Sequence, residues 1–205
     1  MDKLLIATNN KYKFKEISEI LRPVPGIKLH SPYTFGISID VIEDGTTLEE
    51  NAYKKADKNY RVLNIPVLSD DTGLFVDALK GEPGVFSARY AGKNSSYTDN
   101  CRKLLSELNH ITLLEIRTAR FESVICLFIN EKEFYFFKGI CKGLILNELR
   151  GKNGFGYDPL FVPEGYDQTF AELSDTIKNK ISHRALALKK FRDFSDSYFQ
   201  KIPSG

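Results

Sequence analysis

Hydrophobic and polar positions along this chain follow two periods. The run "KLLIAT", residues 3 to 8, is continuously apolar, as in a strand covered on both faces, while "KYKFKEISEIL" after it carries Phe14, Ile17 and Leu21 at helical spacing. The pattern predicts strand, tight Asn-rich turn and helix, with Pro23 and Pro25 stopping the helix. Short strands are expected at "IKLHS" and "FGISID". A second helix is predicted from Leu48 to about Leu63. Thr46 with Glu49, or Thr47 with Glu50, matches a capping box, and Leu48, Ala52, Ala56 and Leu63 give it one apolar side.

Further along, "VLSDDTGLFVDALKG" places two bare carboxylates between runs that each read as buried strand. Turn formers crowd "GEPGVFSARYAG", and helical periodicity returns in "DNCRKLLSELN". "TARFESVICLFIN" and "KEFYFFKGICKGLIL" predict long antiparallel strands or a hairpin. A glycine-rich loop, "RGKNGFGYDP", precedes "LFVP", and "ISHRALALKKFRDF" reads as a last helix with Ser182 as N-cap. An opening strand-helix unit followed by long meandering strands implies an α/β fold, a single domain over residues 1–205 with a central mixed sheet flanked by helices. An elongated form with two lobes around a cleft is expected.

Composition narrows the partners. Hydrophobic residues at 42% and charged residues at 27% are globular values, and 205 residues bury a sizeable core without staples. A net charge of +2 is small for attraction to duplex DNA, so any anion is recognised locally. Cys101, Cys126 and Cys141 show no CxxC spacing and no clustered histidines, which argues for reduced thiols rather than disulfides or structural zinc. The start "MDKLLIATNNK" lacks a signal-peptide core and no run approaches a membrane span, so a soluble cytoplasmic protein is expected.

Five stretches carry candidate chemistry. In "TNNKYK" the side chains of Thr8, Asn9 and Asn10 and the ammonium of Lys13 surround a helix N-terminus, a place suited to phosphate; taken alone, the stretch reads first as an Asn-capped helix with a solvated lysine face. Asp70 and Asp71 are adjacent, so on an extended segment they point to opposite sides; one must look inward, or both must sit where the strand has ended. A strand-ending turn ahead of Gly73 would cover one aspartate comfortably but not two. In "IEDGTTLEEN", Glu43 with Asp71 would meet the requirement of Mg2+ for one or two carboxylates beside substrate phosphates, while helix capping accounts better for Asp44, Glu49 and Glu50. The glycines of "GFGYDP" let the backbone approach a ligand, Phe155 offers a stacking face, and Asp158 can accept from a base edge, although such loops also make plain turns. Finally, "KNKISHRALAL" puts His183 and Arg184 in the first turn of a helix, an electrostatic mismatch that calls for an anion or acceptor there, with Lys178 and Lys180 just upstream. His30 and His110 have no such neighbours.

Taken in order, "IATNNKYKFKEI", "EDGTTLEENAYKKA", "SDDTGLFVDALKGEPGVFSARYAG", "GFGYDPLF" and "KISHRALAL" resemble the inosine triphosphate pyrophosphatase family over nearly the whole chain. The resemblance implies an elongated two-lobed α/β homodimer with a long substrate cleft. It implies hydrolysis of non-standard purine nucleoside triphosphates (dITP, ITP, XTP) to the monophosphate and pyrophosphate, with Mg2+ as cofactor. "TNNKYK" corresponds to the family's phosphate turn "TGNxxK", with Lys13 the matching lysine and Asn9 in place of glycine, asparagine being the next-best residue for a positive φ. By the same resemblance Asp71 is general base and metal ligand, Glu43 the second metal ligand, and Thr72 a substrate contact. Phe155, Gly156, Tyr157 and Asp158 match the base-holding loop, and Lys178, His183 and Arg184 the remaining substrate contacts. Asp70 is the second catalytic candidate, tuning Asp71, binding metal through water or pairing with a lysine. The expected base discrimination rests on donors facing a 6-oxo acceptor, which a 6-amino group would meet as a mismatch.

Two other readings compete. A Maf-like pyrophosphatase acting on modified pyrimidine or guanine nucleotides would share the phosphate chemistry. A nonenzymatic nucleotide or RNA-binding module would use the same basic and aromatic loops, but the acids Glu43, Asp70 and Asp71 repel phosphate unless a metal intervenes.

Overall fold

In the computed structural model, which describes residues 3–22, 24 and 27–199, the chain opens with β1 (Lys3–Ala7), α1 (Lys11–Leu21), β2 (Lys28–His30) and α2 (Leu48–Leu63). There follow β3 (Val67–Val76), β4 (Pro83–Gly84), α3 (Tyr97–Glu107), β5 (Thr118–Asn130), β6 (Glu133–Ile145), β7 (Phe161–Pro163), α4 (Asp175–Ile181) and α5 (His183–Phe199). The sheet is mixed, in the order β2-β1-β3-β5-β6-β7, with β4 added against β3. β1 lies parallel to both neighbours, pairing Leu5 with His30 on one side and with Val67 on the other, while β4 and β7 run antiparallel to β3 and β6. The α/β class and mixed sheet expected from the chain pattern are what the structure has.

Two units divide the chain. Met1–Asp71, Ser123–Gly139 and Arg184–Gly205 make the first, and Thr72–Glu122 with Ile140–His183 the second. The core of the first joins Leu4 and Ile6 of β1 and Ile17 of α1 to Leu68, Phe137 and Phe191. This is the helical face read from "KYKFKEISEIL" meeting a strand buried on both sides, and each such side chain contributes about 1.5 to 3 kcal/mol on burial. The core of the second gathers Leu74, Leu104, Phe121, Leu160, Phe161 and Phe170.

Local chemistry explains the helix starts. Asn10 caps α1 by accepting from the Tyr12 and Lys13 N–H groups, and Thr47 caps α2 by accepting from Glu50 N–H. Glu50 reaches back to accept from both the N–H and hydroxyl of Thr46, so the two threonines share the capping work. Of the stop signals, Pro23 and Pro25 lie outside the described residues.

At four places the structure departs from the chain pattern or chooses between its readings. "FGISID" is not a strand: Pro32–Phe35 form a 3-10 turn that Gly36 closes in the left-handed conformation, and the carbonyls after it find side-chain donors, Asn9 Nδ2 at Ile39 (3.3 Å) and Lys58 Nζ at Asp40 (2.5 Å). Of the two readings of "SDDTG", the strand-ending turn is excluded, since β3 runs through it unbroken. Gly73 is needed for a different reason: a Cβ there would sit 2.6 Å from the Gly84 carbonyl oxygen, so glycine is what lets β4 pair with β3. Asn9 is not among the described residues with positive φ, so the turn after β1 closes without a left-handed residue at that position. Lastly, Lys178 and Lys180 lie just upstream of the last helix as expected, but in a helix the pattern did not predict, α4, which ends where Ser182 turns extended (φ −67°, ψ 156°) before α5 begins.

Candidate active site

The two aspartates of β3 face opposite ways, as pleating requires, and each enters a different set of charges in the first unit. Asp70 is fully enclosed. Its Oδ2 accepts from Arg184 Nη2 (3.0 Å) and Nε (3.3 Å) and pairs with Lys13 Nζ (2.9 Å), and its Oδ1 accepts from the Ser123 hydroxyl (2.6 Å). Burial by itself would lift this carboxyl, but the Arg184 guanidinium, the Lys13 ammonium and the Ser123 hydroxyl outweigh it and hold Asp70 well below the usual carboxylate range. A further carboxylate, Glu16 of α1, binds Arg184 through Nη1. The anion required by cationic residues at the start of α5 is thus supplied, for Arg184, by the chain itself.

Asp71 meets Lys55 Nζ at 2.5 Å, and the same ammonium reaches Glu43 Oε2 at 3.3 Å. Burial raises the Asp71 carboxyl and the neighbouring Glu43 carboxylate raises it further, against the pull of Lys55 and Lys13. For the more exposed Glu43, burial is overcome by Lys55 and Lys13, and its carboxyl is lowered. Lys55 in turn is held charged: burial opposes the ammonium, yet Asp71 and Glu43 raise its pKa. Adjacent aspartates therefore differ in kind, one locked as an anion and one closer to taking up a proton.

Glu43 is placed by the loop ahead of α2. The Asn51 side chain accepts from Gly45 N–H at 2.8 Å, which pins that loop to the buried side of the helix carrying Lys55. Asp44 points outward and pairs with Lys54 at 2.7 Å rather than capping the helix.

In the second unit a smaller set assembles. Asp158 Oδ2 accepts from Lys178 Nζ (2.6 Å) and from the Phe155 N–H (2.8 Å). The Lys178 ammonium lies 4.9 Å from the centre of the Phe155 ring, within cation–π range. Gly154, in the left-handed region at φ +75°, cannot carry a side chain, because a Cβ would fall 2.1 Å from Asp158 Oδ2. Tyr97, exposed at the start of α3, brings its ring to 5.9 Å from that of Phe155.

The remaining candidates have varied surroundings. Thr8 Oγ1 accepts from Asn10 N–H (3.1 Å) within the turn after β1. Tyr157 is buried in the core of the second unit and donates its hydroxyl to the Ser87 carbonyl (2.9 Å), while the Gly156 carbonyl accepts from the Cys101 thiol (3.3 Å). His183 is buried with its ring stacked on Phe121 at 4.7 Å, and Thr72 is half-buried in β3. Lys55, Glu16 and Ser123 were missed by sequence reasoning. Lys55 had one usable signal, its i+4 spacing from Asn51 and from Asn59 on a face otherwise made of Leu48, Ala52 and Ala56; Glu16 and Ser123 had none.

A carboxylate pair clustered with two ammonium groups suits a polyanion with a divalent cation, a chemistry that occurs on many folds. The Ham1 family model matches residues 4–194. The chain belongs to the Ham1 family. Among the relatives, the dITP/XTP pyrophosphatase of Desulforamulus reducens is 49% identical over 188 residues, 92% of each chain, and that of Desulfotalea psychrophila 47% identical over 189 residues, 92% of this chain and 83% of its own. A HAM1 protein of Coxiella burnetii superposes with a TM-score of 0.86 at 39% identity, covering 96% of this chain and 100% of its own. The Ham1 protein of Staphylococcus aureus gives 0.83 at 39% identity over 95% and 98%. The resemblance read from the five motifs and the Ham1 match span the same stretches.

Proposed function

We propose that this Ham1 protein hydrolyses dITP, ITP and XTP to the nucleoside monophosphate and pyrophosphate, with Lys13, Lys55, Glu43 and Asp71 serving the triphosphate and Phe155, Asp158 and Lys178 the purine. The observation that carries this reading is Asp71 held against Lys55, beside Glu43 and within electrostatic reach of Lys13. A raised carboxyl pKa suits a general base, and the two ammonium groups suit phosphate oxygens.

In this scheme Asp71 takes the proton from the attacking water as its oxygen adds to the α-phosphorus and the bond to the pyrophosphate breaks. Lys13 and Lys55 hold phosphate oxygens and stabilise the charge that builds on the departing pyrophosphate. Once substrate phosphates approach, the Lys55 ammonium exchanges part of its contact with Asp71 for them, which leaves the carboxylate a better base. Glu43 and Asp71 fit Mg2+, because they are neighbouring carboxylates, the one or two that this ion takes beside phosphate. Bound there, Mg2+ would neutralise phosphate charge and act as a Lewis acid. Phe155 stacks on the base in this scheme, and the Lys178 ammonium, oriented by Asp158, offers a donor that a 6-oxo group accepts, whereas the 6-amino group of adenine, itself a donor, finds no acceptor in it.

The chain is expected to work as a homodimer in the cytoplasm. Phe134 and Phe136 stand exposed on the same side of β6, and the Phe134 ring packs on Phe128 and Tyr53, an aromatic patch of the sort that marks interfaces. All three thiols are free and buried, burial pushing each up to about 12, as suits a reducing compartment. Light scattering after gel filtration reads the oligomeric state. The activity test is pyrophosphate release from dITP, ITP and XTP against dATP and dGTP, with Mg2+ and with chelator: release confined to the first group and to Mg2+ is the expected result, and equal turnover of dATP would overturn the assignment.

A further inference from the structure

Arg184 was expected among the substrate contacts, and in the structure its guanidinium spans two carboxylates inside the first unit. Nη1 binds Glu16, and Nη2 and Nε bind Asp70. Asp70 then binds Lys13, so the side chains form a row of alternating sign, Glu16–Arg184–Asp70–Lys13. The middle of the row is closed to water, with Arg184 at 1% and Asp70 at 0% side-chain exposure, and exposure is greatest at Lys13, at 17%. Such a row costs desolvation that apolar packing between α1 and α5 would avoid, so contact between helices is a poor reason for it. What it does supply is direction. A lysine ammonium on a four-carbon stem has many rotamers, and Asp70 selects among them. Asp70 is itself fixed on one oxygen by Ser123 and on the other by the planar Arg184 fork, and the fork cannot swing while Glu16 holds its far side.

We infer that Glu16 is a positioning residue for substrate binding, acting through Arg184 and Asp70 to hold the Lys13 ammonium where it meets phosphate. The inference rests on the assignment of the triphosphate to Lys13. It makes Arg184 a positioning residue as well and takes Asp70 out of proton transfer. Glu16 touches no reacting atom, so its effect appears in affinity and disappears when Lys13 is absent.

The test is a double-mutant cycle with Glu16→Gln and Lys13→Ala, read by dITP kinetics and by calorimetric binding of inorganic tripolyphosphate. Glu16→Gln alone should raise KM for dITP and Kd for tripolyphosphate by roughly tenfold, with kcat within about twofold, a size usual for coupled charged neighbours. On the Lys13→Ala background the same substitution should change neither constant. Equal effects on both backgrounds, or a loss in kcat at constant KM, would overturn the inference. Should Glu16→Gln fail to fold, Arg184→Lys, which keeps the charge and loses the fork, is carried through the same cycle with the same criteria. If the native chain binds tripolyphosphate and shows the coupling yet releases no pyrophosphate from dITP, the inference stands and the proposed reaction falls; if it binds no tripolyphosphate, both fall.

Discussion

In the first unit four carboxylates, Glu16, Asp70, Asp71 and Glu43, are interleaved with three cations, Lys13, Lys55 and Arg184. In the second unit the candidate residues Lys178 and Asp158 form a buried pair beside the Phe155 ring. The first arrangement keeps proton affinities apart on adjacent residues, Asp70 lowered and Asp71 raised, and charge is what it can process. The second fixes one donor against one aromatic face, which is a way of reading polarity and shape. The contrast teaches that buried ions of similar appearance do different work according to how many partners compete for each of them.

The strongest way to break this comparison is Asp71→Asn. Loss of a general base should lower kcat for dITP by about a thousandfold, while the melting temperature by calorimetry moves only a few degrees. A collapse of both would make Asp71 a structural residue like Asp70. Next comes Lys55→Met, which leaves the buried Asp71 carboxylate facing the half-exposed Glu43 carboxylate without the ammonium and should cost about 3 kcal/mol in urea unfolding at pH 7. Because the Asp71 carboxyl would then rise further, the variant takes up a proton on folding in mild acid, and its deficit should shrink between pH 7 and pH 5.

Asp70 should respond to pH in the opposite sense. Its carboxyl is lowered in the folded chain, so the unfolded chain, titrating near 3.9, binds the proton first. The stability it confers is complete above that value and drains away as pH falls through the lower folded one. Asp70→Asn should therefore weaken the protein at pH 7 and flatten the acid limb of its stability curve. The smallest effect is expected in the second unit, where Phe155→Ala should raise KM for dITP about tenfold, stacking being worth roughly 1 to 3 kcal/mol per base, with kcat little changed. An effect mainly on kcat would draw the two units together in function rather than set them apart.

Periodicity and capping residues were enough to place α1 and α2 to the residue and to place the two long strands closely. Their apolar spacing and the Asn10 and Thr47 caps are local properties. Where the reading failed, distant groups had intervened. "SDDTG" left a strand and a strand-ending turn open because its acids and glycine are turn residues, and what settles it as strand is distant: cations from α1, α2 and α5 meet the two acids, and Gly84 approaches Gly73 closely. The α5 mismatch was visible as a missing anion, but not that Asp70 and Glu16 would supply it, since they lie 114 and 168 residues from Arg184.

By itself the sequence determined the α/β class and most of the elements, because these rest on neighbours within a helical turn or a loop, and through the family resemblance of its motifs it pointed to Asp71 as the base candidate. Only the tertiary structure decided that Asp70 and Asp71 face different charges, that Lys55 joins Asp71 to Glu43, and that Arg184 is spent on carboxylates. Which cation meets which carboxylate depends on packing of segments far apart in the chain, and an ionisable group acquires its proton affinity from those neighbours and from the water they exclude.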